Sequence, residues 1–233
     1  MKIALAGYGK MGKLIDQLAP EFGCEVVLKL DEHNNAGGSA ITPENFRQVE
    51  VAIEFSTPET VISNIERLAA VGANVVVGTT GWHEQRGHVQ RVVEQSGIGL
   101  VWSPNFSVGV NVFFRLVSEA ARLLQGQSEY GSWAWEIHHD AKKDAPSGTL
   151  VQLVEKMRAA GFDRPVDVSS NRAGKHPGTH EIGFDSQADT ITLRHVARSR
   201  EGFARGALQA ARWLSGKKGM FEFGQTLFTG DKA

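Results

Sequence analysis

The first 31 residues constrain the fold more than any other part of the chain. A short, mostly apolar run at residues 2–6 leads directly into Gly7, Gly9 and Gly12, which have the G-x-G-x-x-G spacing. An apolar run of this length suits a buried parallel strand. A helical pattern follows the glycines, and a second strand-like run then ends at Asp31. The glycines alone could form a tight turn without a ligand, but the strand, helix and acidic residue together predict a dinucleotide-binding βαβ unit.

This unit predicts a nicotinamide cofactor, NADH or NADPH. In such units the second glycine lets the pyrophosphate approach the backbone, and an acid ending the second strand accepts hydrogen bonds from the adenosine ribose. Gly9 and Asp31 occupy these positions. The carboxylate of Asp31 would repel the 2′-phosphate of NADPH unless a cation intervenes, and Lys10 and Lys29 are the candidate cations. We therefore expect NADH to be used at least as well as NADPH, with both tolerated.

The alternation of strand and helix patterns continues to about residue 102. Strand-like runs at 51–55, 74–77 and 98–102 are separated by helical patterns. One of these helices is predicted to begin at Thr57 as its cap, with Pro58 in the first position. The order of the elements predicts an α/β Rossmann-type fold with a doubly wound parallel sheet.

A second glycine turn, Gly78-Thr79-Thr80-Gly81, follows the strand-like run at 74–77. Open α/β sheets bind ligands at the carboxyl ends of their strands. The tetrapeptide alone could be a plain turn. After a dinucleotide fingerprint in the same alternation, we expect it to line the nicotinamide end of the cofactor.

The pattern changes after Gly126, where strand-like runs occur with few helices between them. These runs are residues 132–139, 166–171, 180–185 and 190–196. The last two are separated by a short polar segment and predict a hairpin. This half is therefore expected to be α+β, with a mixed or antiparallel sheet. An amphipathic helical pattern after Ser199 ends near Gly216 and could pack on the first domain.

Composition excludes several classes of protein. Hydrophobic residues make up 41% and charged residues 22% of the 233-residue chain, which is typical of a soluble globular protein. A formal net charge of −1 gives no general attraction to nucleic acid or to an anionic membrane. No apolar run is long enough for a membrane span, and glycines interrupt the N-terminal apolar residues before a signal peptide could form. The single cysteine, Cys24, fits a reducing compartment, so we expect a cytoplasmic protein.

The segment from Glu136 to Thr149 contains the residues best suited to chemistry. It provides the imidazole of His138, the ammonium of Lys142 and a predicted helix N-cap at Ser147. The helix that follows would direct backbone amides at an anion. A solvated loop is the alternative for such a segment. The combination favours a site for a negatively charged substrate that must accept a proton.

Seven motifs, in this order and spacing, closely resemble those of the dihydrodipicolinate reductase family, also called 4-hydroxy-tetrahydrodipicolinate reductases. They are Gly7–Gly12, Gly78–Gly81, Asn105–Asn111, Glu136–Thr149, Asn171–Gly174, Gly178–Glu181 and Ser199–Gly206. The resemblance covers nearly the whole chain. It implies reduction of 4-hydroxy-tetrahydrodipicolinate to tetrahydrodipicolinate with NADH or NADPH, in the diaminopimelate route to lysine.

The resemblance also implies the roles of individual residues. His138 would be the catalytic acid/base and Lys142 the second proton donor, while His139, Gly148 and Thr149 would hold a cyclic dicarboxylate substrate. The residues expected to bind the cofactor are Gly7, Tyr8, Gly9, Lys10, Met11, Gly12, Asp31, Gly78, Thr79, Thr80, Ser103, Pro104, Asn105 and Phe106.

The family's fold implies a dinucleotide-binding domain of residues 1–107 and 201–233. Residues 108–200 would form a substrate-binding domain that also builds a homotetramer. The chain departs from many members in a shorter segment between Asp31 and Val51, and in Asp140 and Ala141, where many members have basic residues. The second departure would make the site less positive, which bears on the affinity for substrate.

Other functions remain open at this point. A metal site could use histidines or acids from the second half of the chain: His138, His139, Asp140, His176, His180 and His195. Adjacent histidines on a strand chelate poorly and no zinc-site spacing is present, so we expect no metal. A NAD-sensing scaffold or another amino-acid-pathway dehydrogenase would also contain the glycine loop.

Two sets of side chains have no settled role. Arg172 and Arg200 could be carboxylate clamps, subunit contacts or solvated side chains. Trp133 and Trp135 lie on the same predicted strand face, which favours the core or a subunit interface over a ligand platform.

Overall fold

A computed structural model describes residues 1–228 of the chain. The chain divides into two compact units. Among the described residues, the first comprises 1–108 together with 201–228, and the second comprises Gly109–Arg200.

The secondary structure alternates between strand and helix in the first part of the chain and is strand-rich in the second. In chain order the described residues form β1 (Lys2–Ala6), α1 (Lys10–Leu18), β2 (Glu25–Leu30), α2 (Pro43–Phe46), β3 (Val51–Glu54), α3 (Val61–Ala70), β4 (Asn74–Val77), α4 (Arg86–Ser96), β5 (Gly99–Trp102), α5 (Val108–Leu124), β6 (Gly131–His138), α6 (Gly148–Ala159), β7 (Val166–Arg172), β8 (Thr179–Asp185), β9 (Thr190–Val196), α7 (Glu201–Leu214), β10 (Gly219–Glu222) and α8 (Phe223–Leu227).

The first unit is built on a six-stranded sheet with the order β10-β5-β4-β3-β1-β2. Every pairing between neighbouring strands is parallel. Two apolar cores pack on the sheet: one includes buried residues of α1 and α7, and the other includes buried residues of α3 and α4. Central strands buried on both faces explain the continuous apolar runs in the sequence. The predicted doubly wound parallel sheet is confirmed.

Two details of this unit differ from the sequence prediction. Helix α3 begins at Val61 with Thr60 as its N-cap, so the prediction of Thr57 as the cap was wrong. The reason is a turn: the backbone amides of Thr60 and Val61 both donate to the carbonyl oxygen of Thr57, at 3.1 and 3.0 Å. The short strand β10, which pairs with β5, was not predicted, because its four residues follow a glycine- and lysine-rich turn and show no clear alternation.

The second unit is built on a mixed four-stranded sheet with the order β7-β6-β8-β9. Strands β6 and β7 are parallel, whereas β6–β8 and β8–β9 are antiparallel. The predicted α+β character and the hairpin of β8 and β9 are therefore confirmed. Buried residues of α5 and α6 form an apolar core with Ala134, Ile182 and Phe184 of the sheet.

Strand β6 carries polar residues on its buried face. Ala134, Glu136 and His138 are buried, whereas Trp133 and Trp135 on the opposite face are half-buried. The strand's aromatic face is thus not the face packed in the core of this unit. Among the helices of residues 1–228, none is both long and apolar enough to cross a membrane.

Candidate active site

A cavity of about 730 Å³ lies in the first unit, beside the glycine loop. Its size falls within the range of small-molecule and cofactor sites. The residues around it include four that the sequence predicted for the cofactor, namely Gly7, Tyr8, Gly9 and Asp31. The cavity therefore lies where a dinucleotide-binding unit holds the adenosine half of its ligand.

The backbone around the loop requires glycine at two positions. Gly7 has φ of +103°, and a Cβ there would lie 2.1 Å from the carbonyl oxygen of Phe55. A Cβ on Gly12 would lie 2.3 Å from the carbonyl oxygen of Gly7. Gly9 is the N-cap of α1, and no atom lies within 4 Å of its added Cβ, which leaves room for a ligand to approach. Lys10 and Met11 lie in the first turn of α1.

The carboxylate of Asp31 is fixed at the end of β2. Its Oδ1 atom accepts hydrogen bonds from the backbone amides of His33 and Asn34, at 2.9 and 3.1 Å. The amides of Asn34 and His33 lower the pKa of Asp31, so this side chain is ionised at neutral pH. A charged acceptor thus borders the cavity at the position expected for a ribose partner.

The remaining residues predicted for the cofactor lie at the ends of neighbouring strands. Gly78–Thr80 follow β4 and Ser103–Phe106 follow β5, and neither segment is among the residues around the cavity. A Cβ on Gly78 would lie 2.1 Å from the ring of Phe55, so this turn passes close to the end of β3. The hydroxyl of Ser103 accepts from the amide of Asn105 at 3.1 Å and orders the second segment. Because the carboxyl ends of parallel strands meet at one sheet edge, both segments share that edge with the glycine loop.

The sequence did not predict the polar residues that line this cavity beside the glycine loop. Ser56, Thr57, Thr60 and Asn64 border the cavity. Beneath them Glu54 is fully buried, accepts from Asn64 at 3.2 Å and also accepts from the hydroxyl of Ser56. Burial raises the pKa of Glu54. The run of hydroxyl residues directly after a buried strand was the available signal.

In the second unit, β6 ends at His138 and the chain turns there. His138 is 8% exposed, and His139, the first residue beyond the strand, is half-buried. Adjacent residues on a regular strand point to opposite faces. Because His139 lies beyond the end of β6, this rule does not apply to it, and the imidazoles of His138 and His139 need not point to opposite faces.

The imidazole of His138 lies against three groups. Its Nδ1 is 3.4 Å from Oε2 of Glu136, and its ring centroid is 5.0 Å from that of His180. A Cβ on Gly178 would lie 2.9 Å from Nε2. Burial lowers the pKa of His138 to about 4; the charge of Glu136 raises it, whereas His180, Lys142 and Arg172 lower it. The imidazole is therefore neutral at neutral pH in the free protein.

Helix α6 begins as the sequence predicted, with Ser147 as its N-cap. The hydroxyl of Ser147 accepts from the amide of Leu150 at 3.2 Å. Gly148 is exposed, and no atom lies within 4 Å of a Cβ built on it. The first turn of α6, which contains Gly148 and Thr149, is therefore open to an anion.

Lys142 lies between His139 and this helix and is already paired. Its Nζ lies 2.7 and 2.9 Å from the two carboxylate oxygens of Asp144. The hydrogen bond from Lys142 lowers the pKa of Asp144. Asp140, one of the departures from the family, is exposed with its carboxylate 3.7 Å from Nζ of Lys175.

Arg172 points inward. One of its Nη atoms donates to Oε1 of Glu136 at 2.8 Å and to the carbonyl oxygen of Asp144. The hypothesis of Arg172 as a substrate clamp therefore has no support in its contacts, and Arg200 is exposed. Sequence reasoning gave no role to Glu136, because a buried charge produces no signal in an alternating pattern.

The parallel sheet, the glycine loop with its cavity, and the ionised Asp31 define an oxidoreductase-type dinucleotide-binding fold, accompanied by a second unit with an imidazole and an open helix start. Family models described as "Dihydrodipicolinate reductase, N-terminus" and "Dihydrodipicolinate reductase, C-terminus" match residues 1–106 and 109–227. The chain belongs to the dihydrodipicolinate reductase family, which consists of pyridine-nucleotide-dependent reductases.

Relatives and solved structures agree with this assignment. A 4-hydroxy-tetrahydrodipicolinate reductase of Christiangramia forsetii is 34% identical over 232 residues, covering 95% of each chain. A protein of the same name from Methanococcoides burtonii is 33% identical over 80% of this chain and 76% of its own. The solved structure of dipicolinate-bound dihydrodipicolinate reductase from Paenisporosarcina sp. TG-14 is similar with a TM-score of 0.82. It has 22% identity and covers 98% of this chain and 99% of that one.

Proposed function

We propose that the protein reduces 4-hydroxy-tetrahydrodipicolinate to tetrahydrodipicolinate with NADH or NADPH, in the diaminopimelate route to lysine. Membership of the family over both units is the observation that carries the proposal. The geometry supports it, because His138, Lys142 and the first turn of α6 lie along one short segment of the second unit. A scaffold that only senses NAD would have no need of this combination.

The cofactor would bind to the first unit, where it would supply the hydride. Asp31 would accept hydrogen bonds from the ribose, and the amides after Gly9 would face the pyrophosphate. Gly78–Thr80 and Ser103–Phe106 would contact the nicotinamide half, which agrees with their position at the same sheet edge. Ser56 and Thr57 add hydroxyl groups to the wall of the cavity.

The two carboxylates of the substrate would bind to the second unit. The amides of Gly148 and Thr149 would take one carboxylate at the start of α6, where the helix dipole favours negative charge. Lys142 and His139 would contact the substrate as well. Lys142 is paired with Asp144, so a substrate carboxylate would either replace Asp144 beside Lys142 or bind Lys142 together with Asp144.

His138 would supply the proton. Loss of the 4-hydroxyl group as water gives dihydrodipicolinate, a conjugated imine. Addition of hydride to this ring leaves electron density that a proton must neutralise, which requires an acid close to the ring. In the free protein the imidazole is neutral, since burial lowers its pKa to about 4. A dianionic substrate beside it would favour the charged imidazolium. Substrate binding would therefore load the proton that the reaction uses.

The assembly and location are also proposals. The sheet of the second unit has two outer strands, β7 and β9, and a half-buried aromatic face. Open edges and apolar faces favour association. We infer a homotetramer on the basis of the family, and a cytoplasmic location from the single cysteine.

A coupled assay tests the reaction directly. Purified protein is combined with pyruvate, aspartate semialdehyde and the synthase that condenses them, and NADH or NADPH oxidation is followed. Oxidation should depend on the synthase. Absence of synthase-dependent oxidation, with a synthase shown to be active by loss of its substrates, would contradict the proposal. Oxidation of NADH or NADPH with a keto acid alone would favour another dehydrogenase.

A further inference from the structure

The carboxylate of Glu136 lies at the centre of the second unit's polar cluster and is fully buried. Its Oε1 accepts from the amide of Ser147 at 2.8 Å, from Arg172 at 2.8 Å and from Ser170 at 3.0 Å. Its Oε2 accepts from the hydroxyl of Ser147. A buried charge is costly unless it is paired and hydrogen-bonded, and here both conditions are met.

The same carboxylate faces two imidazoles. Oε2 of Glu136 is 3.4 Å from Nδ1 of His138 and 3.3 Å from Nε2 of His180. The Nε2 atom of His180 is also 3.1 Å from the hydroxyl of Ser147. Nδ1 of His138 is buried and has no hydrogen-bond partner among the described residues, and the charged Oε2 of Glu136 lies 3.4 Å from it.

Glu136, His138 and His180 could also be considered as ligands of a metal ion, because their donor atoms lie within 4.8 Å of one another. Two observations favour a network of protein groups. The guanidinium of Arg172 is already 2.8 Å from the carboxylate and would repel a second cation. Hydrogen bonds from Ser147, Arg172 and Ser170 already occupy most of the roughly four acceptor positions of a carboxylate.

We propose that Glu136 is a positioning residue that joins the proton donor to the carboxylate-binding turn. Through Ser147 it fixes the start of α6, and through Oε2 it faces the imidazole of His138. One buried side chain thus sets two functions of the site at once. The inference rests on the proposed function, which assigns proton donation to His138 and carboxylate binding to the start of α6. The contacts of Glu136 themselves are those of the free protein.

Electrostatics agree with this role. Burial would raise the pKa of Glu136, but hydrogen bonds from His180, Ser147 and Arg172 outweigh it and hold the pKa well below its usual range. The charged carboxylate in turn raises the pKa of His138 against burial and against the charges of His180, Lys142 and Arg172. Without the charge of Glu136, only the influences that lower the pKa of His138 would remain.

The test compares Glu136→Gln with Glu181→Gln, a matched amide substitution on β8. Glu181 lies opposite Trp135 in the sheet register and therefore on the other sheet face. NMR titration of the His138 imidazole should show its pKa lowered by about one unit or more in E136Q, since an opposite charge at this distance shifts a pKa by about 1–3 units. The pH at which kcat/KM begins to decline should fall by the same amount. E181Q should change neither.

A second pair of variants keeps the inference testable if E136Q does not fold. Ser147→Ala removes the hydroxyl that donates to Glu136 and caps α6, keeps the backbone amide that donates to Oε1, and leaves the charge of Glu136 in place. Ser169→Ala alters an exposed hydroxyl on β7. S147A should weaken dipicolinate binding about tenfold with little change in the His138 titration, and S169A should do neither. Equal dipicolinate affinity in S147A and S169A, or an unchanged His138 titration in E136Q, would overturn the inference.

The NMR titration does not depend on turnover. An inactive wild-type protein would contradict the proposed reaction, whereas the positioning role would still be decided by the titration of E136Q.

Discussion

Lys29 forms an ion pair with Asp16, with 2.7 Å between Nζ and Oδ2. The same ammonium lies 5.2 Å from the ring of Tyr8, whose hydroxyl donates to Asp16. Lys29 is therefore paired with Asp16 beside Tyr8, and this pairing should weaken its attraction for a 2′-phosphate beside Asp31. The sequence had left this lysine as a candidate cation for NADPH.

This pairing predicts the cofactor preference. NADH should be used at least as well as NADPH, and Asp31→Ala should weaken NADH and improve NADPH. Asp16→Asn should release Lys29 and raise kcat/KM for NADPH relative to NADH by about fivefold, which corresponds to about 1 kcal/mol for a charge pair near the surface. Steady-state kinetics with both cofactors decide the matter. Glu25→Gln, an exposed change at the start of β2, serves as the control, and a wild-type preference for NADPH above about tenfold would contradict the prediction.

His138→Gln and Lys142→Ala should each lower kcat by roughly 10²-fold or more, the range of general acid–base catalysis. Thermal stability at pH 7, above the pH window in which His138 titrates, should change little. Lys143→Ala is the matched control for the lysine, since Lys143 is its exposed neighbour. Near-normal turnover in both variants would show that these side chains do not act on the substrate.

Binding of dipicolinate, a dicarboxylate, should take up a proton. In the free protein His138 has a pKa of about 4 and is neutral at pH 7, and the bound dianion should raise that pKa. In the pH range where one proton is taken up, the dissociation constant of dipicolinate should rise about tenfold for each unit by which the pH increases. Calorimetry in buffers of different ionisation enthalpy measures the uptake. It should disappear in H138Q, and an unchanged uptake in that variant would assign the proton to another group.

Acid should destabilise the fold through the same imidazole. Its pKa of about 4 lies below the value of 6.5 expected for an unfolded histidine, so the unfolded chain binds the proton more readily between these values. Stability should therefore fall as the pH decreases from about 6.5 to about 4. Thermal melts of wild type and H138Q across this window measure the contribution, which should be smaller in the variant. Parallel curves would show that His138 does not contribute.

Gly178→Ala should impair turnover more than Gly174→Ala. Both glycines have positive φ, +138° and +52°, so each alanine should cost about 1–3 kcal/mol of stability. Only at Gly178 would the new Cβ meet His138, 2.9 Å from Nε2, whereas no atom lies within 4 Å at Gly174. Measurement of kcat at matched folded fractions separates the two effects. Equal kcat values in the two variants would mean that a shift of the His138 imidazole does not affect turnover.

Light scattering at micromolar concentration tests the assembly. Four copies are expected on the basis of the family. A substitution such as Trp135→Glu on the half-buried face of β6 should lower the mass, because it places a charge on the surface proposed for association. A monomeric wild-type protein would contradict the prediction.

The sequence was sufficient for the order of the main elements as far as α7 and for the glycine loop, because apolar runs and glycine spacing directly encode buried strands and a tight turn. Ser147 was also predictable, since a hydroxyl residue before a helical pattern favours an N-cap. Thr57 fitted the same rule equally well, yet the structure uses Thr60. Local propensity could not decide between two threonines that lie three residues apart.

The centre of the candidate site could not be predicted in this way. The alternation of β6 identifies Trp133 and Trp135 as its apolar face, but the structure buries the face that contains Glu136 and His138. That choice depends on partners distant in sequence, chiefly Arg172 and His180. A pattern within one strand contains no information about them.

The first unit is discontinuous in the chain, and this has a consequence for biosynthesis. Helix α7 contributes Ala204, Ala207, Leu208, Ala211 and Leu214 to the core shared with β1 and β3, yet it follows the whole of the second unit. At about 5–20 residues per second, synthesis of Gly109–Arg200 takes roughly 5–20 s. During this interval α1 alone covers one face of the nascent sheet, so the apolar side chains that α7 will bury are exposed to the ribosome and to chaperones. A chain that stops before α7 would retain the glycine loop but would be expected to aggregate.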